Sequence, residues 1–138
     1  MSEIHKTAAS LRFFGANVDP DETTALLGHP PTVGARANGL WHTHNGTPKT
    51  ARRGFWRREV ERVSPGDLDG QIDQLLAPLS GDLSVWLRLS SDFDADIYCG
   101  LFMQEECEGL GLSPRTLSRL GERGLVLNLE IYGPGLAD

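Results

Sequence analysis

The chain has 138 residues, 39% of them hydrophobic, with a mean hydropathy of -0.28 and a net charge of -6. That is the size and composition of one domain with its own core, too apolar for a disordered segment, and the acidic balance excludes general nucleic-acid binding, which needs surplus Lys and Arg against phosphates. No run reaches the roughly 18 apolar residues of a membrane span, the polar stretch Met1 to Ser10 has no apolar secretory segment, and two cysteines, Cys99 and Cys107, make no disulfide framework, so the expectation is a cytoplasmic chain with reduced thiols and no membrane partner.

Ser10 to Phe14 reads as a short strand with Leu11 and Phe13 on one face. A helix follows, with Asp19 as its cap, Pro20 at its first position and Glu22 in capping-box register; Gly28 stops it and Pro30-Pro31 bar its continuation. From Thr32 to Thr50 the chain is rich in Gly, Pro, Asn and Thr and reads as a long loop with room for a short strand at Val33 to Ala37; loops of that length are uncommon and often functional. Phe55 to Val63 reads as a strand. Asp67 opens a second helix, whose Leu68, Ile72, Leu75, Leu76 and Leu79 form one apolar stripe, ended by Pro78 and Gly81.

Leu83 to Leu89 alternates, with Leu83, Val85, Leu87 and Leu89 against Ser84, Trp86 and Arg88, which predicts a strand. Asp94 to Met103 is more continuously apolar, as a central strand is. Ser113-Pro114 caps and starts a third helix, Gly124 stops it, and Leu125, Leu127, Leu129 and Ile131 alternate in a last strand. Strands with short connections and helices to cover them predict an α+β fold. The expected form is a single, mostly antiparallel sheet with helices packed mainly on one face, in one domain over residues 1–138.

These signposts carry a resemblance. The segments are SLRFFGANVDPDETTALLG at 10–28, GFW at 54–56, DIYC at 96–99, LSPRTLSRL at 112–120 and LNLEIY at 127–132. Over roughly residues 10–132 the chain resembles the bacterial family DUF4279, a domain of unknown function. The resemblance implies a small bacterial α+β protein and implies no reaction. It also implies that Trp56, inside a shared segment, belongs to the framework and is buried. The His-Thr-His and arginine-rich stretch lies outside the shared pattern.

Charge is unevenly spread. Lys49, Arg52, Arg53, Arg57, Arg58 and Arg62 are opposed locally only by Glu59 and Glu61, so this segment is +6 - 2 = +4 and the remainder is -6 - 4 = -10. Its arginines suit a carboxylate or phosphate, with Trp56 available to stack a ring; the plainer reading is one solvated strand face. His42 and His44, spaced by two, are the best metal pair, but no third ligand lies near them in sequence, so no metal and no cofactor are expected. Cys99, in an apolar strand, reads as a small core residue, and Cys107 is flanked by Glu105, Glu106 and Glu108, which suppress a thiolate. No GxSxG elbow and no phosphate-binding GxxxxGK[ST] loop is present.

With no complete catalytic constellation, the leading expectation is a non-catalytic protein-binding module, analogous to toxin-neutralising immunity proteins. The alternative is a small-anion-binding protein or enzyme that uses the Arg52 to Arg62 segment with Trp56 and His42 or His44. For either, the candidate ligand or partner residues are Arg36, His42, His44, Arg53, Trp56 and Arg57.

Overall fold

A computed structural model describes residues 2–136. In chain order its elements are β1 (Ser2–Glu3), β2 (Lys6–Gly15), α1 (Pro20–Leu27), β3 (Val33–Ala35), β4 (Leu40–His42), β5 (Pro48–Thr50) and β6 (Gly54–Glu59). They continue with α2 (Leu68–Leu76), α3 (Leu83–Asp92), β7 (Asp94–Phe102), β8 (Glu108–Gly109), α4 (Pro114–Glu122) and β9 (Val126–Tyr132).

The main sheet has five strands in the order β3-β6-β2-β7-β9. All neighbours are antiparallel except β7 and β9, which are parallel because α4 carries the chain back between them. The fold is therefore α+β, with a mostly antiparallel sheet. Strand periodicity splits β2 into two faces. Thr7, Ala9, Leu11 and Phe13 are buried beneath the helices, while Lys6, Ala8, Ser10, Arg12 and Phe14 line the opposite face.

All four helices contribute to the covered face: Leu27 from α1, Leu68, Ile72 and Leu75 from α2, Trp86 and Leu89 from α3, and Leu120 from α4 join one cluster with Leu11, Phe13, Trp56 and Ile97. Full burial of such aliphatic side chains contributes about 1.5–3 kcal/mol each, so the α2 stripe alone anchors that helix. Local signals set the helix starts: Asp19, Asp67, Asp82 and Ser113 each accept a backbone N–H of the first turn. Gly28 closes α1 in the left-handed region at φ 80°.

The segment Leu83 to Leu89 is helical, not a strand. Its alternation of Leu and polar residues satisfies both periods, but only Trp86 and Leu89, three apart, are buried, while Leu83 and Leu87 stay exposed. The Asp82 side chain, accepting from both the backbone N–H and the hydroxyl of Ser84, starts a helical turn that alternation alone does not reveal. The stretch 32–50 is not a bare loop either. It holds β3 and the β4–β5 hairpin, whose Trp41 packs edge-on against Phe55 with ring centroids 5.1 Å apart. No helix among the described residues is long and apolar enough to cross a membrane.

Candidate functional site

Strand register arranges the helix-free face of the sheet in transverse rows. One row runs Val33, Arg57, Arg12, Asp96, Val126; the next runs Glu59, Ser10, Tyr98, Asn128; then Ala8, Gly100, Glu130; then Lys6, Phe102, Tyr132. Small side chains in the middle, Ala8, Ser10 and Gly100, lie between larger ones on every side. The result is an open trough of about 270 Å3 with Arg57, Glu59 and Arg62 along the β6 side and Tyr98, Phe102 and Tyr132 along the β7–β9 side.

Arg12 closes one end. Its guanidinium donates to Asp96 from Nε (2.9 Å, to Oδ1) and Nη2 (2.7 Å, to Oδ2), and Asn128 donates its Nδ2 to the same Oδ2 at 2.7 Å. The guanidinium also lies over the Tyr98 ring, 4.1 Å from its centroid, and over Phe14 at 4.8 Å. Arg57 sits directly across the ladder from it. Like charges in cross-strand positions repel, and here each has its own carboxylate: Asp96 for Arg12, Glu59 for Arg57. The Arg57 Nε is 2.8 Å from Glu59 Oε1, yet the N–H misses the oxygen, so this is an ion pair without a hydrogen bond and the buried Nε has no acceptor.

At the other end Phe102 and Tyr132 stack with centroids 4.9 Å apart and planes 6° apart. Arg62 lies over the Phe102 ring at 4.7 Å and the Lys6 ammonium at 5.4 Å. Desolvation first, and a hydrogen bond with Glu130 second, push the Tyr132 phenol above its ordinary value. Around the trough, over these four rows and Arg62, Lys6, Arg12, Arg57 and Arg62 stand against Asp96, Glu59 and Glu130, 4 - 3 = +1, on a chain of net charge -6; Asp94 lies one row further along the same face, opposite Phe14. Guanidinium groups that donate in a fork and rings that stack are means of holding an anionic or flat group.

Of the six candidate residues read from the sequence, Arg57 alone lies in the trough, joined there by Glu59 and Arg62 of the same basic segment. Trp56, its neighbour in the chain, points to the opposite face and is fully buried, edge-on to Phe13 at 5.7 Å and donating Nε1–H to Thr24 Oγ1 at 3.1 Å. Arg53, in the turn before β6, pairs with exposed Asp94 at 2.8 Å, and Arg36 reaches Asp19, the cap of α1, at 2.7 Å. His42 and His44 are exposed on the β4–β5 hairpin, and among the described residues no group of three or more His, Cys, Asp and Glu could hold a metal. The set Arg36, His42, His44, Arg53, Trp56, Arg57 is thus spread over separate parts of the surface and the core.

Sequence reasoning missed Arg12, Tyr98, Phe102 and Tyr132. The signal for Arg12 was present: a charged residue inside an otherwise apolar strand, on the same face as Ala8 and Ser10. Its partner Asp96 could not be found without the register. Cys99 is buried beneath the helices and Cys107 is exposed; both are free thiols.

Comparison with protein families gives one assignment. The domain of unknown function DUF4279 matches residues 3–134, nearly the whole chain, so the chain belongs to that family. No curated protein and no solved structure matches it.

Proposed function

We propose that this member of the DUF4279 family is a binding protein whose partner is another protein, held on the helix-free face of the sheet with an acidic side chain of the partner seated in the trough. One observation carries the reading: Arg12 and Arg57 stand side by side on neighbouring strands at the end of an open, aromatic-walled trough. Each guanidinium has a carboxylate of its own, Asp96 or Glu59, and keeps N–H donors beyond that pair to offer an arriving anion. The small-ligand alternative needed Trp56 and a histidine beside the arginines, and they are elsewhere. The trough volume, about 270 Å3, also lies just under the range of roughly 300–1,000 Å3 usual for pockets that engulf small ligands.

The test is an NMR titration of the full chain with a short polyglutamate peptide and, separately, with inorganic phosphate. The peptide is expected to shift amides of β2, β6 and β7 around the trough, with affinity falling as salt rises. Arg57→Glu combined with Arg62→Glu is expected to weaken it at least ~10-fold. Peptide that leaves those amides unmoved would end the reading. Phosphate binding as tightly as the peptide would transfer the site to a small anion.

A further inference from the structure

Edge strands expose unpaired backbone groups, and natural proteins blunt them with brevity, Pro, Lys, bulges or a covering element. The two edges of this sheet are treated differently. β3 is three residues long and its Val33 and Ala35 pack with Phe14, Phe55 and Trp41. β9 is seven residues long, contains no proline, and has Glu130 as its one charged residue. On its helix-side face Leu129 and Ile131 are 45% and 62% exposed, beyond the reach of the core.

We propose that β9 is a self-pairing edge: two copies of this chain join β9 to β9, antiparallel, about a two-fold axis at Leu129. The backbone gives the direction. Met103 donates its N–H to the Tyr132 carbonyl at 3.0 Å, so Tyr132 turns its backbone groups inward, towards the β7 side. Successive residues of a strand turn their N–H and C=O to opposite sides. Asn128 and Glu130 therefore also turn inward, and Leu127, Leu129 and Ile131 present theirs at the open edge.

An antiparallel neighbour must set outward-turned residues opposite outward-turned residues. Centring on Leu129 does this over the whole strand. Leu129 meets its own copy, and Leu127 meets Ile131 of the second copy, so the apolar face continues across the junction. On the other face Glu130 meets Asn128 of the second copy, and Val126 meets Tyr132. The Asn128 amide has one N–H on Asp96 and a second one to offer the carboxylate.

Neighbouring registers are worse. Centring on Glu130 sets two carboxylates opposite each other, and centring on Asn128 leaves Ile131 and Tyr132 past the end of the pairing. The Leu129 register is isologous and closes at two copies. It joins two five-stranded sheets edge to edge, and the two-fold axis, normal to the sheet, leaves both troughs open on the same side.

Sedimentation equilibrium of the full chain with reductant, from about 1 μM to about 1 mM, tests this directly. A dimer is expected. Leu129→Lys and Ile131→Lys, at exposed positions, are each expected to raise its dissociation constant at least ~10-fold while leaving the melting temperature of the monomer nearly unchanged. Asn128→Lys places a lysine opposite Glu130 twice per dimer and is expected to tighten association a few-fold. A chain that stays monomeric throughout the range would overturn the proposal, and so would a dimer indifferent to both leucine-face lysines. A dimer weakened by Asn128→Lys would overturn the register.

Discussion

Arg12 and Asp96 meet across the β2–β7 ladder with both ends of the fork engaged, while the same guanidinium is covered by Tyr98 and Phe14. Their side chains are 23% and 10% exposed, so this is neither a free surface pair nor a dry one. Removing the carboxylate leaves a cation held between two rings with its acceptor gone. Asp96→Ala is expected to cost about 2–4 kcal/mol, somewhat under a fully buried pair because Arg12 keeps part of its water. Urea denaturation reads it. A loss under ~1 kcal/mol would class the pair with ordinary surface bridges.

Trp56 presents the opposite face of the adjacent strand. It is wholly enclosed, touches Phe13 edge-on, and has its indole N–H on Thr24. Trp56→Ala is expected to destabilise by ~3–5 kcal/mol. Trp56→Phe keeps most of the volume but strips the hydrogen bond, for about 1–2 kcal/mol. Thermal melts separate the two, and a Trp56→Ala protein melting with the parent would refute the core assignment.

How much of this was legible beforehand follows from the range of the signal. Helix starts at Asp19, Asp67 and Ser113, the α2 stripe and the β9 alternation are local patterns, and the structure has them. The Leu83 to Leu89 segment failed because a seven-residue run of alternating Leu fits either period, and the deciding contact, Trp86 against Phe13 with centroids 6.2 Å apart, is remote in sequence. The basic segment was visible as a charge run. Its division into Arg57 on one face and Trp56 on the other follows from strand parity, but which face the helices cover depends on β2 and β7. The trough is made of rows, each taking one residue from each of several strands, and no single stretch of sequence contains a row.

Gln71 is a polar residue on the buried side of α2. Its Oε1 accepts from the Thr7 hydroxyl at 2.7 Å, and its Nε2 donates to the carbonyls of Thr7 at 3.0 Å and Glu61 at 2.9 Å. The Thr7 hydroxyl in turn accepts the N–H of Asp67, the cap of α2. Gln71→Leu fills the space but leaves Thr7 and the Glu61 carbonyl short of partners. The expected cost is about 2–3 kcal/mol, measured by urea denaturation. A neutral result would show that water replaces the amide there.

Cys99 supplies a pH prediction. Burial first, and the charge of Asp96 second, push its thiol from 9.0 up to about 12. A folded-state pKa above the unfolded one favours the fold while the thiol is protonated. That contribution is full below about pH 9 and is lost between about 9 and 12, as the unfolded chain releases the proton first. By about pH 10.5 the loss attributable to Cys99 is ~2 kcal/mol. Urea midpoints at pH 8 and pH 10.5 should therefore fall further for the parent than for Cys99→Ala, about 1.4 kcal/mol per pH unit at the limit. Parallel curves would mean that the thiol is not desolvated.

The trough makes a claim about shape that can be separated from charge. Ala8 lies on its floor directly across from Gly100, where a Cβ would sit 3.1 Å from the Phe102 ring and 3.7 Å from the Ala8 Cβ. Ala8→Phe projects a ring into the space while leaving Lys6, Arg12, Arg57 and Arg62 in place. Aromatic residues suit strands, and the site is open on one side, so stability should change by no more than ~1 kcal/mol. Arg57→Gln does the reverse, keeping the volume and removing one charge. If an acidic partner group enters the trough, Ala8→Phe should weaken polyglutamate at least ~10-fold with the salt dependence of the residual binding unaltered, and Arg57→Gln should weaken it less steeply but flatten that dependence. Calorimetric titration at two salt concentrations distinguishes them. Full affinity in Ala8→Phe would mean that the face attracts acidic chains by its field alone and that the trough receives nothing.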